Sequence, residues 1–237
     1  MLGGGSARRF WTCQQVASYS IPHSFFTSEY VRHQGHEHLA VSALLDLLFP
    51  SDCVVCERPP QLVCPQCLPE ATESREVLQG YKLHCALELG ASEERLITGY
   101  KDQMKLALAG TLAHYLDASL DSFGTMPTHL AFPPSSRENF ARRGYNPVEL
   151  ICTRSKRLKQ LPTVTIRAKR ELKEQRGLSA RDRLSNTLDA FEAAPGIGSV
   201  LIVDDVVTTG ATVLALAAAI ELAGYQVAGI CAIARRN

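Results

Sequence analysis

The sequence predicts an α/β protein with a mainly parallel sheet, and the last third of its 237 residues predicts this most clearly. The apolar run SVLIVDD (199–205) predicts a buried strand, the stretch 206–224 predicts a loop that leads into an Ala/Leu-rich helix, and YQVAGICAIA (225–234) predicts a second buried strand. Strands that are apolar on both faces and alternate with a helix are typical of a parallel sheet covered by helices on both sides.

The first 120 residues predict an extension and two helices. Residues 1–40 show neither a helical nor a strand period, which indicates a poorly ordered extension. Apolar residues between 39 and 49 recur at three-to-four spacing, so a short helix is expected there, ended by Pro50. The stretch 95–120 carries a stripe of leucines and predicts one long helix.

The middle of the chain predicts shorter elements. HLAFPP (129–134) and TVTIRAKR (163–170) indicate strands, and VELICTRSKRL (148–158) indicates a helix between them. The polar stretch 171–186 has no apolar stripe and predicts a mobile loop with helical pieces.

Charge is unevenly distributed along the chain, although its formal net charge is only +1. Residues 137–183 contain 14 basic and 5 acidic side chains, a local charge of +9. Such a segment favours an anionic partner, phosphate being the commonest, or else forms a solvated basic surface. No apolar run reaches the length of a membrane span and the first twenty residues do not resemble a secretory signal, so we expect a cytoplasmic protein without membrane insertion.

Four cysteines follow a metal-binding pattern. Cys53, Cys56, Cys64 and Cys67 form two CxxC pairs separated by seven residues. Two such pairs place four thiolates within reach of one tetrahedral ion, which predicts structural zinc rather than a catalytic metal, because no coordination position is left open. The alternative, a reducible pair of disulfides, is disfavoured in a reducing cytoplasm.

Acidic and hydroxyl side chains meet where the strand 199–205 ends. Asp204 and Asp205 close the strand, and the segment Thr208–Thr212 leads into the next helix. In an open parallel sheet, ligands bind beyond the carboxyl ends of the strands. The two acids can hold hydroxyl groups while backbone N–H groups of the loop bind a phosphate, which together suit a ribose 5-phosphate. The alternative is an acidic helix cap followed by a plain turn.

The stretch LIVDDVVTTGAT (201–212) resembles the phosphoribosyl pyrophosphate (PRPP) signature of type I phosphoribosyltransferases. The resemblance implies that Asp204 and Asp205 are the catalytic acids and hold the ribose 2′- and 3′-hydroxyls, with Mg²⁺ accompanying PRPP. It further implies that the 5-phosphate is bound by Thr208, Thr209, Gly210, Ala211 and Thr212.

Further motifs resemble the ComF competence family within that superfamily. Residues 44–50 together with the first CxxC pair resemble the family's opening, and the stretch 142–146 (RRGYN) resembles its Arg-Gly-aromatic-Asn motif. The family's Gln-Leu-Arg-Asn-Ala-Phe spacing is matched by Gln175, Leu178, Arg183, Asn186, Ala190 and Phe191. These motifs together span residues 44–234.

The resemblance to the ComF family implies a division of the chain into three parts. A type I phosphoribosyltransferase-like, Rossmann-like domain is expected at residues 80–237, a short helix and a four-cysteine zinc ribbon at 41–70, and an extension at 1–40. It also implies PRPP-binding roles for Arg142, Arg143 and Lys101. After Lys101 the sequence departs from the family, because Asp102-Gln103-Met104 replaces the usual glycine-containing segment.

The resemblance implies two classes of function. The first is Mg²⁺-assisted transfer of a phosphoribosyl group from PRPP to an unknown acceptor, with Arg176, Arg181 and Arg183 on a lid over the reaction centre. The second is a non-catalytic competence factor that handles single-stranded DNA during natural transformation, with the basic segment as an electrostatic track. A third hypothesis is a scaffold that binds a competence helicase, but it assigns no function to the PRPP motif.

Overall fold

The computed structural model describes residues 52–121, 123–124, 126–169 and 190–236. The extension 1–40, the helix expected at 39–49 and the loop expected at 171–186 lie outside these residues. The described elements belong to one compact unit, 51–237.

The secondary structure is as follows. The strands are β1 (Ser74–Leu78), β2 (Tyr81–Glu88), β3 (His129–Ala131), β4 (Ile166–Ala168), β5 (Phe191–Ala193), β6 (Ser199–Val207) and β7 (Gln226–Arg235). The helices are α1 (Ala91–Lys101), α2 (Leu108–Ser119), α3 (Arg137–Arg143), α4 (Pro147–Arg154) and α5 (Ala211–Leu222), and a short 3₁₀ helix covers Pro65–Cys67.

Five strands form the central sheet in the order β1-β2-β7-β6-β3. Strands β2, β7, β6 and β3 are mutually parallel, and β1 pairs antiparallel with β2 at one edge. Strands β4 and β5 form a separate antiparallel pair. The prediction of an α/β fold with a mainly parallel sheet is therefore confirmed.

Apolar side chains cover both faces of this sheet. On one face α1, α2 and α4 pack against the strands, with Tyr100, Leu112 and Ile151 fully enclosed. On the other face α5 and the β4–β5 pair pack against Ile202 and its neighbours. Since each buried apolar side chain stabilises the fold by roughly 1.5–3 kcal/mol, these two layers fix the position of β6 between its helices.

The prediction of one helix over 95–120 is wrong. Helix α1 ends at Lys101, and α2 begins at Leu108. Met104 between them has a φ of 55°, a left-handed conformation that no α-helix accommodates. The leucine stripe continues across the break because both helices pack on the same sheet face, so apolar periodicity alone could not reveal where the chain turns.

Among the described residues, no helix combines the length and the apolar character that crossing a membrane requires.

Candidate functional site

The site predicted at the end of β6 is formed by two consecutive carboxylates that have different surroundings. Successive side chains of a strand point to opposite faces of the sheet. Asp204 borders a depression of about 220 Å³, open to solvent, that is also lined by residues 206–213. Asp205 is only 7% exposed and faces the side of the sheet that α1, α2 and α4 cover, where it meets Lys101. The sequence-based expectation that both acids face one crevice therefore needs refinement, because only Asp204 lines the loop depression.

The pKa of Asp204 is higher than that of an ordinary aspartate. Burial, and next the charge of the neighbouring Asp205, raise the pKa of Asp204 to about 8. The backbone N–H of Asp205 donates to Asp204 Oδ1 at 2.9 Å and opposes this rise in part. At neutral pH the unliganded site therefore holds Asp204 largely as the neutral acid, and a ligand that needs its carboxylate must displace a proton.

Asp205 is balanced by Lys101 at the end of α1. Lys101 Nζ lies 2.7 Å from Asp205 Oδ2, and the side chains are 28% and 10% exposed. A carboxylate this enclosed is costly unless it is paired, so the ion pair makes Asp205 compatible with the interior. Lys101, expected from the family resemblance to bind PRPP, is thus placed beside the acid pair.

The expected phosphate loop follows β6 directly. Thr208 and Thr209 are exposed, and Gly210 has a φ of 78° and precedes the first residue of α5. A Cβ on Gly210 would overlap Leu78 Cδ2, the last residue of the edge strand β1. Gly210 therefore satisfies two requirements at once, a left-handed turn and close approach of another chain segment.

Arg235, which no sequence motif indicated, holds the loop through backbone carbonyl oxygens. Its Nη1 donates to the carbonyl oxygens of Val207, at 3.2 Å, and of Thr208. Its Nε donates to Glu76 Oε2 on β1 at 3.3 Å. These carbonyl contacts come from a strand adjacent to β6 and leave the opposite side of the loop to solvent.

Arg142 and Arg143 lie in the last turn of α3, a helix that the sequence did not predict. Both donate through Nη2 to Asp102 Oδ1, at 3.2 Å and 2.8 Å. Although burial works in the opposite direction, these hydrogen bonds lower the pKa of Asp102. Because Lys101 and Asp102 are consecutive, the strand-end acids and the two arginines are brought to the same end of α1.

The four cysteines form a candidate metal centre. Their Sγ atoms all lie within 4.8 Å of one another, and Cys56 Sγ is 3.7 Å from Cys64 Sγ. Zinc–sulfur bonds of about 2.3 Å in a tetrahedron separate the sulfurs by about 3.8 Å, so the cluster fits such an ion. Arg58 Nε donates to Cys56 Sγ at 3.3 Å, and Arg58 lowers the pKa of this thiol to about 6, which favours the thiolate that a metal requires. The four thiols are free, so the structure shows no disulfide among them.

This cysteine segment is attached directly to the helices that carry the site. Arg95 Nη1 of α1 donates to the carbonyl oxygen of Val55 at 2.6 Å, and the Tyr115 hydroxyl of α2 donates to that of Pro69 at 2.6 Å. Val54 lies against Gly99, where a Cβ would come within 3.0 Å of Val54 Cγ1. The cysteine segment thus packs against the last turn of α1, which ends at Lys101.

The remaining predicted residues fall into two groups. Cys85, Cys152 and Cys231 are buried and serve as small core side chains. The lid residues expected at 171–186, including Arg176, Arg181 and Arg183, lie outside the described residues.

The described part of the chain is thus an α/β protein with a strand-end acid pair, an adjacent helix-initiating loop and a cysteine cluster able to bind a metal ion. No protein-family model matches the sequence, and no curated protein matches it. Among solved structures, the chain is similar to adenine phosphoribosyltransferase from Leishmania tarentolae, with 15% identity, coverage of 56% of this chain and 59% of that chain, and a TM-score of 0.34. The match therefore spans less than two thirds of that structure, and a likeness this distant carries no inference about substrate.

We expect the purified protein to carry one tightly bound zinc ion per chain. Cys56→Ser and Cys67→Ser should each lose it, and should increase proteolysis between residues 52 and 70, because metal binding by such small modules is coupled to their folding. Elemental analysis and limited proteolysis provide the measurements. Cys152→Ala, a core substitution, is the control that should keep the metal. A metal-free wild type with a protease-resistant segment would contradict the assignment.

Gly210→Ala should destabilise the protein more than Gly80→Ala does. Both glycines have positive φ, but a Cβ at Gly80 meets nothing within 4 Å, whereas at Gly210 it overlaps Leu78. The strain of a left-handed alanine costs about 1–2 kcal/mol in either variant. The overlap should add roughly 1–3 kcal/mol at Gly210, as overpacking does. Urea denaturation measures the free energy of unfolding of both variants. Adding Leu78→Ala to Gly210→Ala should recover part of the lost stability, because it removes the overlapping side chain.

The free energy of unfolding should respond to pH through Asp204. Its pKa is raised to about 8 in the folded protein against about 3.9 when unfolded, so the folded state binds the proton more strongly between these values. The stability contributed by Asp204 is therefore complete below about pH 4 and is lost as the pH rises to 8. Relative to wild type, Asp204→Asn should gain about 4 kcal/mol of stability between pH 5 and pH 8.5 in urea denaturation, since each pH unit between the two pKa values changes the free energy of unfolding by about 1.4 kcal/mol. Asp121→Asn, at an exposed site, controls for net charge, and equal slopes for wild type and Asp204→Asn would refute the assignment.

Proposed function

We propose that the chain is a PRPP-binding protein of the ComF type that transfers a phosphoribosyl group, with Mg²⁺, to an acceptor. One observation carries this proposal: a carboxyl group and a helix-initiating loop line one solvent-open depression at the carboxyl end of β6. Ribose hydroxyls are donors and acceptors that a carboxylate can bind, and a 5-phosphate is an anion that loop N–H groups can bind. The residues at the end of β6 can therefore bind both the hydroxyls and the phosphate of a ribose 5-phosphate.

The roles of the residues follow from their surroundings. Asp204 would accept from the ribose hydroxyls after losing its proton, while the segment Thr208–Thr212 would bind the 5-phosphate. Asp205 is held by Lys101 and would reach the ribose or Mg²⁺ after that ion pair rearranges. Mg²⁺ would be bound by carboxylate and phosphate oxygens, and its chemistry is neutralisation of the pyrophosphate charge.

The reaction requires little covalent chemistry from side chains. The acceptor's lone pair forms a bond to the anomeric carbon while the carbon–oxygen bond to pyrophosphate breaks, and the pyrophosphate leaves with the bonding electrons. Direct transfer of this kind requires no covalent intermediate on the Asp204 carboxyl or on the threonine hydroxyls that line the depression. The chain's contribution is to hold the ribose in place and to stabilise the charge that develops on the leaving group.

The alternative of single-stranded DNA handling rests on the basic stretch 137–183. Its residues from 170 onward lie outside the described residues, and Arg142 and Arg143 are paired with Asp102. No contact in the described part of the chain favours DNA as the ligand, so we develop only the PRPP proposal.

A thermal-shift experiment tests PRPP binding. With Mg²⁺, PRPP at about 100 times its dissociation constant should stabilise the native state by about 2.7 kcal/mol, and ribose 5-phosphate should bind more weakly because it lacks the pyrophosphate. Thr212→Val removes a hydroxyl from the loop and should weaken the binding of both PRPP and ribose 5-phosphate. Asp204→Asn removes the carboxylate and should also weaken the binding of both ligands. Thr153→Val, on α4 outside the depression, is the matched control and should respond like wild type. An unresponsive wild type, or an unaffected Asp204→Asn variant, would overturn the proposal.

A further inference from the structure

The strongest feature not absorbed by the proposed function is the contact of two arginines with Asp102. Arg142 and Arg143 both point a guanidinium nitrogen at one oxygen of a single carboxylate. Arg142, Arg143 and Asp102 together carry two positive charges and one negative charge, so one positive charge remains uncompensated among these three residues. Asp102 and Arg142 are half exposed, at 49% and 50%, so solvent anions have access to the contact.

Two donors beside this contact lack partners. Arg143 has a side chain only 8% exposed, and its buried Nε has no hydrogen-bond partner among the described residues. The hydroxyl of Tyr145, two residues on, is likewise buried and unpartnered within the described chain. Leaving such groups unsatisfied costs about 1–3 kcal/mol each, so the arrangement is not an optimised structural ion pair.

The end of helix α1 determines the position of Asp102. Helix α1 ends at Lys101 and Asp102 is its C-cap residue, so that Lys101 meets Asp205 while Asp102 meets the arginines of α3. Asp102 is also the first residue at which the sequence departs from the family pattern named above. The Asp102 carboxylate therefore belongs to the residue that follows Lys101, the partner of Asp205.

We propose that Asp102 is an internal counter-anion that occupies the arginine pair in the unliganded protein and is displaced by the pyrophosphate group of the ligand. This inference rests on the proposed function, whose PRPP supplies the pyrophosphate. Phosphate oxygens match the geometry of a guanidinium and can accept from two arginines at once, whereas Asp102 offers both arginines one oxygen. Displacement exposes Arg143 and Tyr145 to the anion, and return of Asp102 promotes pyrophosphate release.

Titration calorimetry on the full chain, with inorganic pyrophosphate and Mg²⁺ as one probe and ribose 5-phosphate as the other, tests this inference. Asp102→Asn should bind pyrophosphate about five- to tenfold more tightly than wild type, since a competing charge-assisted contact is removed, and should bind ribose 5-phosphate equally well. Glu94→Gln, which removes an exposed carboxylate paired with Arg236, is the matched control and should change pyrophosphate affinity less than twofold. Circular dichroism verifies that each variant is folded.

A second substitution tests the unpartnered hydroxyl. Tyr145→Phe should weaken pyrophosphate about threefold while leaving the unliganded melting temperature unchanged or higher, because the lost hydroxyl has no partner among the described residues. A purely structural role for Tyr145 would instead lower the melting temperature and leave pyrophosphate affinity unaltered, which would count against the inference.

The outcomes separate this inference from the proposed function. If wild type binds ribose 5-phosphate but Asp102→Asn binds pyrophosphate no more tightly, the counter-anion assignment fails and the proposed function stands. Weaker pyrophosphate binding by Asp102→Asn would also overturn it, because Asp102 would then hold the arginines in their binding geometry. If wild type binds neither ribose 5-phosphate nor PRPP, the proposed function fails, and tighter pyrophosphate binding by Asp102→Asn would still support the counter-anion.

Discussion

The alternation of side chains along β6 is the constraint on which the site depends. Two consecutive carboxylates at the end of a strand cannot share one face, so Asp204 faces the loop and Asp205 faces the helices. An acid on the helix side needs a counter-charge, which Lys101 provides from the end of α1. Helix α1 ends at Lys101, and the next residue, Asp102, reaches the arginines of α3.

The sequence predicted best the elements whose stability is local or fully apolar. Strands β6 and β7 are continuous apolar runs and α5 is rich in alanine and leucine, so their pattern permits little else. The cysteine spacing likewise predicted the cluster, because two CxxC pairs can bring four thiols together with few intervening residues. In these regions neighbours in sequence are also the neighbours that decide the structure.

Other features depended on partners distant in sequence. The break between α1 and α2 reflects contacts between residues far apart in the chain. Lys101 contacts Asp205, 104 positions away, and Asp102 contacts Arg143, about 40 positions away, and no local pattern records such contacts. Helix α3 is only seven residues long and buries no apolar residue, so it has no apolar period. Arg235 was missed because its role, holding the loop through carbonyl oxygens, leaves no motif. Only the departure from the family pattern after Lys101 could have drawn attention to Asp102.

The loop between β6 and α5 is held from two sides, by Leu78 packed at Gly210 and by Arg235 bonded to its carbonyl oxygens. A backbone restrained in this way before the ligand arrives loses little conformational entropy on binding. If the loop binds phosphate as proposed, discrimination among phosphate-bearing molecules would reside in how long each one stays bound, since encounter requires no ordering step. The edge strand and its arginine partner thereby set residence time without touching the ligand.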